Sequence, residues 1–157
     1  MQSILFVCTG NICRSPMAEY MLRRRLGKDS GWRVSSAGII AGAGMTASEV
    51  AVAAMQEVGI DLRPHRSRPL DQELVDGSEL VMVMTASHRD QLRSLFPKDL
   101  DKVYLLASFA KDGEKDDIED PIGLNTAAYR AVRARIEQAL PGLMEFMKHI
   151  EAQGKQK

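Results

Sequence analysis

The stretch Ile4-Leu5-Phe6-Val7-Cys8-Thr9-Gly10-Asn11-Ile12-Cys13-Arg14-Ser15-Pro16 decides the fold. Its unbroken apolar run, Ile4 to Val7, is the pattern of a central parallel strand covered on both faces. Ser15 and Pro16 open a helix, with Ser15 the expected N-cap, Pro16 in the first turn and Gly27 the expected stop. Cys8 to Arg14 fill the turn between strand and helix. A thiol and a run of backbone N–H groups therefore sit at the carboxyl end of a strand and the N-terminus of a helix, where anions bind.

Outward from this turn, strands alternate with helices. Trp32 to Ala37 reads as a strand with Val34 inward, and Gly38 to Gly44 as a small-residue loop. Thr46-Ala47-Ser48-Glu49 is a capping-box pattern that opens a helix to Val58, with Val50, Ala53, Ala54 and Val58 as its apolar stripe. Pro64 to Pro69 is a connector before a short helix at Gln72 to Val75. Leu80 to Met84 is a buried strand, and Thr85 caps a helix ending at Phe96-Pro97. Val103 to Leu106 is the fourth strand, and Lys111 to Leu124 a long charged loop. Asn125 caps a last helix to about Ile150, which Pro141-Gly142 is expected to kink or split. This order predicts an α/β fold: one domain over 1–152 with a polar, fraying tail over 153–157.

The chain has 157 residues, 45% hydrophobic and 27% charged, the profile of a globular domain. Lys plus Arg and Asp plus Glu number 21 each, so bulk charge argues for neither nucleic acid nor an acidic membrane as partner. Arg23-Arg24-Arg25 reads as a solvated helix face. No apolar run approaches a membrane span, and no signal peptide is visible. Two cysteines five residues apart form no disulfide framework, so a reducing cytoplasm is expected.

A helix N-terminus and a neighbouring guanidinium favour the thiolate form of a cysteine. Gly10 lets the backbone curl so that the N–H groups of Thr9 to Ser15 converge on one anion. Asn11 suits a left-handed position in that curl. Arg14 offers parallel N–H donors to a phosphate-like group, and the Ser15 hydroxyl can donate to the sulfur. A thiolate at the base of such a cradle suits in-line attack on a phosphoryl group and a cysteinyl-phosphate intermediate. Asp120 lies among Asp116, Asp117 and Glu119; no histidine accompanies them, so no metal is expected. Neighbouring negative charge helps a carboxyl keep its proton, and Pro121 restricts the Asp120 backbone.

Val7 to Pro16 resembles the active-site loop of the low-molecular-weight protein tyrosine phosphatases. Trp32 to Gly38 is similar to that family's second strand, and Asp120-Pro121 to its general-acid motif. The resemblance implies a four-stranded parallel sheet with helices on both faces and the phosphate loop between strand 1 and helix 1. It implies phosphomonoester hydrolysis without a metal; the expected substrate is phosphotyrosine in proteins, with no cofactor, and the expected state is a monomer. Cys8 would be the nucleophile, Arg14 the phosphate clamp and Asp120 the acid, then the base. Asn11, Ser36 and His65 would rigidify the loop. Cys13 is either a small buried residue or a redox partner that protects Cys8 in a disulfide.

The body of the chain also resembles bacterial protein-arginine phosphatases, through Ser36-Ala37-Gly38 and the connector His65 to Leu70. Their loop carries threonine where this chain has Ile12, and an isoleucine there suits a phenyl ester. The walls expected beside the site, at Ile39, Ile40, Ile122 and Leu124, are aliphatic and lack aromatic stacking. An arsenate reductase using a disulfide cascade needs cysteines after Cys13, and there are none; a version using an external thiol stays open as an alternative. A non-catalytic binder gains nothing from Cys8 and Asp120. Gly42 to Ala47 matches a dinucleotide fingerprint but follows a polar strand. His65, His88 and His149 are each expected to be satisfied structural histidines.

Overall fold

The computed structural model describes residues 2–111 and 117–155. Four strands form one parallel sheet in the order β2-β1-β3-β4: β1 is Gln2–Cys8, β2 Trp32–Gly38, β3 Leu80–Val83 and β4 Val103–Leu105. Alternation along β1 divides the core. Ile4, Phe6 and Cys8 join a cluster with Met17, Met21 and Leu22 of α1 (Arg14–Leu26), Ala51, Ala54 and Met55 of α2 (Glu49–Gln56), and Ile136 and Leu140 of α5 (Thr126–Lys155). Leu5 and Val7 face Leu74 of α3 (Gln72–Asp76) and Leu92 of α4 (Ala86–Leu95). Helices cover both faces, and β1 ends at Cys8 on the carboxyl rim of the sheet.

Several local expectations are corrected. Ser15 is not the N-cap of α1: the helix starts at Arg14, and Cys13 holds the cap position without a side-chain hydrogen bond to the helix N–H groups. The Ser15 hydroxyl is engaged elsewhere, as described below. The α2 cap is Ser48, not Thr46; its Oγ accepts from the Ala51 N–H, and its own N–H donates to the Ile12 carbonyl at 2.9 Å. The buried stripe of α2 is correspondingly Ala51, Ala54 and Met55, with Ala53 exposed. By contrast, Asp71, Thr85 and Asn125 cap α3, α4 and α5 through the N–H groups of Leu74, His88 and Ala128.

Pro141 does not split α5, which runs unbroken for 30 residues and carries past Gln153 to Lys155. Gly142 answers to a neighbour instead: a Cβ there would collide with the Phe109 carbonyl of the 3-10 turn Leu106–Phe109. Tyr104, Phe109 and Phe146 stack around this approach with ring centroids 5.1 to 6.1 Å apart. The three arginines of α1 are not merely solvated. Arg23 reaches Glu19 and the Val34 carbonyl, Arg24 the Val58 carbonyl and Arg25 Glu137, so each clips α1 to a different element. Within the charged loop, Ile118 is fully buried and Asp116 lies outside the described residues.

Candidate active site

Gly38 is where the site begins to be forced. It pairs with Cys8 at the end of the β1–β2 ladder. A Cβ at 38 would lie 2.7 Å from the Thr9 carbonyl oxygen and 3.0 Å from the Asn11 nitrogen. Only glycine lets β2 come this close to the turn. The connector locks the approach: Gly38 donates to the Arg68 carbonyl at 3.0 Å and accepts from the Leu70 N–H at 2.8 Å.

Asn11 has φ 58°, the left-handed value expected for it, and its side chain is buried. Both ends of its side-chain amide and its carbonyl are engaged. Its Nδ2 donates to Ser15 Oγ at 2.8 Å and to Ser36 Oγ at 2.9 Å. Its Oδ1 accepts from the Arg68 N–H at 3.0 Å, and its carbonyl accepts from His65 Nε2 at 2.7 Å. A carbonyl can only accept, so His65 carries its hydrogen on Nε2.

The chain of donors has a direction. Ser36 Oγ donates to Glu19 Oε1 at 2.6 Å, and Glu19 pairs with Arg23. Ser15 Oγ accepts from Asn11, so its own hydrogen is free for Cys8 Sγ, 2.9 Å away. A sulfur that receives an O–H is stabilised as the anion. Cys8 is buried, at the base of a cavity of about 200 Å³ lined also by Thr9, Gly10, Ile12, Cys13, Arg14, Asp120 and Ile122. Larger grooves, one of about 430 Å³ between α1 and α5, lack any thiol or N–H cradle.

Arg14 is buried and oriented by its NH1, which donates to the Ile118 carbonyl at 2.9 Å. Its Nε has no partner among the described residues, and its NH2 is 3.6 Å from Asp120 Oδ2. The Nε–NH2 edge is the one that suits a bidentate oxyanion. Asp120 is 44% exposed, and its Oδ1 accepts from the Ile122 N–H at 3.0 Å. Its segment is pinned upstream: Ile118 donates to the Met84 carbonyl, and Asp117 accepts from the Ala86 N–H, both at 2.8 Å. Asp117 thus serves the α4 terminus.

Cys13 lines the same cavity, with its Sγ 3.5 Å from Ser48 Oγ and 3.4 Å from the Tyr129 hydroxyl. Burial pushes its thiol up, against these hydrogen bonds. Both cysteines are free. Gly42 to Ala47 forms no nucleotide turn. Ser67 staples it, donating to the Gly42 carbonyl and accepting from the Met45 N–H.

The structure brings the Cys8 to Ser15 loop, Ser36, His65 and Asp120 together, with Ile12 and Ile122 on the cavity wall; of the other expected walls, Ile39 packs on the opposite face of the sheet and Leu124 does not line the cavity. Two further residues join this group. Glu19 ends the donor chain; its only signal was the helical i, i+4 spacing to Arg23. His88, expected to be structural, lies with its Nε2 2.9 Å from Thr9 Oγ1. Nothing in the chain around His88 points to Thr9, 79 residues earlier.

A buried cysteine at a strand end, an N-terminal helix cradle and an oriented arginine define an α/β protein built to hold and attack an oxyanion. The family model for low molecular weight phosphotyrosine protein phosphatase matches residues 3–156, and the chain belongs to that family. It is 41% identical over 142 residues to a protein-arginine-phosphatase of Geobacillus stearothermophilus, covering 90% of this chain and 93% of that one. It is 35% identical over 153 residues to the probable low molecular weight protein-tyrosine-phosphatase EpsP of Ralstonia solanacearum, covering 98% and 99%. The solved YwlE arginine phosphatase of Geobacillus stearothermophilus superposes with a TM-score of 0.87 at 38% identity, covering 98% and 97%.

Proposed function

We propose that the protein hydrolyses phosphotyrosine in protein substrates through a cysteinyl-phosphate. The observation that carries this reading is the Ser15 hydroxyl, which accepts from Asn11 Nδ2 and stands 2.9 Å from Cys8 Sγ. Cys8 attacks phosphorus in line, and a P–S bond forms as the P–O ester bond breaks. Asp120 gives its proton to the leaving phenolic oxygen. The loop N–H groups and the Arg14 Nε–NH2 edge hold the equatorial oxygens, whose charge they stabilise in transfer. Asp120 then takes a proton from water, which attacks phosphorus; the P–S bond breaks and phosphate leaves. The steps need neither metal nor cofactor.

Ile12 and Ile122 line the cavity, and Ile40 is 75% exposed on the loop whose N–H bonds the Thr9 carbonyl. These aliphatic walls suit a phenyl ring better than a guanidinium, which must keep its donors solvated. A second reading, phosphoarginine hydrolysis, is favoured by the 41% identity to a protein-arginine-phosphatase. Two free buried thiols suit a reducing cytoplasm. No helix among the described residues is long and apolar enough to cross a membrane. We take the working unit to be a monomer of one domain.

The test is kcat/KM for phosphotyrosine and phosphoarginine peptides side by side, with Cys8→Ser as the blank. A tyrosine preference is expected. An arginine preference transfers the assignment to the second reading, and activity on neither overturns both.

A further inference from the structure

We propose that His88 is a positioning residue for the oxyanion cradle: from α4, its ring holds the Thr9 hydroxyl and so fixes the peptide that follows Cys8. The proposal deepens the phosphatase reading above and rests on it. Thr9 is exposed, lines the cavity and is the first residue after the sulfur-bearing one. His88 is 3% exposed beneath it, with Nε2 2.9 Å from Thr9 Oγ1.

The His88 turn is itself anchored to the other half of the site. Its backbone N–H donates to the capping Thr85 hydroxyl at 3.1 Å. The Ala86 N–H of the same turn donates to Asp117, three residues before Asp120. One helical turn thus joins the cysteine loop to the Asp120 segment, and the His88–Thr9 bond is the side-chain half of that joint.

The ring's other nitrogen decides the proton. His88 Nδ1 is buried with no partner among the described residues. A bare lone pair there is cheaper than an orphan N–H, so the hydrogen sits on Nε2 and donates to Thr9 Oγ1. The Thr9 hydroxyl hydrogen is then released toward the cavity. The charged groups bearing on the ring are Arg14 from the loop and Asp117 and Asp120 from the facing segment, with Arg89 next to it on α4. Burial, then Arg14, push the imidazole down to about 4, which keeps it neutral in this role at neutral pH.

A double-mutant cycle tests this, with His88→Leu and Thr9→Val singly and together, and His88→Gln as the rescue, because its amide reaches about as far as Nε2. Calorimetric Kd for inorganic phosphate, kcat and KM for para-nitrophenyl phosphate, and thermal unfolding are read on each. Each single change is expected to raise the phosphate Kd and KM about ten-fold, the double change no further, and Gln to recover to within about three-fold of wild type. Two additive losses would overturn the proposal. So would His88→Leu lowering only the melting temperature. Should His88→Leu fail to fold, Thr9→Val, at an exposed position, still decides: an unchanged phosphate Kd sinks the idea. If wild type binds phosphate but hydrolyses no aryl ester, the phosphatase reading fails while the phosphate cycle still judges His88.

Discussion

His65 Nε2 donates to the Asn11 carbonyl oxygen, 2.7 Å from it across 54 residues of chain. The bond holds a left-handed residue, φ 58°, in the middle of the loop, where it also distributes its amide to Ser15 and Ser36. Replacing Asn11 by Ala removes three buried side-chain hydrogen bonds and the left-handed tolerance together. Urea unfolding is expected to show a loss of about 2–4 kcal/mol, with kcat/KM for an aryl phosphate down at least about ten-fold.

Asp120 sits half-exposed at the cavity mouth, 3.6 Å from Arg14. Asp120→Asn is expected to keep phosphate-analogue binding but slow turnover by roughly 10²-fold or more. Steady-state kcat beside vanadate affinity separates the two; unchanged turnover removes Asp120 from the mechanism.

Stability carries the signature of His88. Its pKa is pushed down from 6.5 to about 4, by burial first and by Arg14 second. The unfolded chain therefore binds a proton that the folded one refuses between these values. This contribution is present in full above about pH 6.5 and is lost as pH falls toward about 4, roughly 3 kcal/mol in all. His88→Gln removes the titrating group, so the difference in urea midpoint between pH 7 and pH 5 should shrink. An unchanged difference assigns the slope to other groups.

Cys13 and Cys8 line one cavity, and burial keeps Cys13 as the thiol. We expect Cys13 to trap an oxidised Cys8 as a disulfide, sparing it from higher oxidation. After brief peroxide exposure, Cys13→Ala should regain less activity with dithiothreitol than wild type. Equal recovery would assign Cys13 to packing alone.

Gly142 passes against the Phe109 carbonyl. Backbone cannot move aside as a flexible side chain can, so Gly142→Ala, despite its better helix propensity, should destabilise by about 1–3 kcal/mol. Differential scanning calorimetry would show a lower Tm; a raised Tm would mean that propensity dominates.

What the chain determined by itself is local. An apolar run of four, a Cys-to-Arg turn and a Pro in the next helix place an anion cradle after β1, because the strand and helix patterns are periodic and short-range. Asn11, Arg14 and Ser15 were legible for the same reason, as were the caps at Thr85 and Asn125. Ser15 misled as a cap because its hydroxyl bonds Cys8, and Ser48 was displaced from view by the stronger pattern at Thr46. The split that Pro141 suggested does not occur, because helix breaking is a local rule and α5 is held by packing along its length. The tertiary structure alone decided that β2 touches the loop at Gly38, that the donor chain ends on Glu19, and that α4 sets His88 under Thr9. Those contacts join elements separated by 17 to 79 residues. Hydrogen bonds of that span depend on sheet order and helix placement, and no periodicity in the chain encodes them.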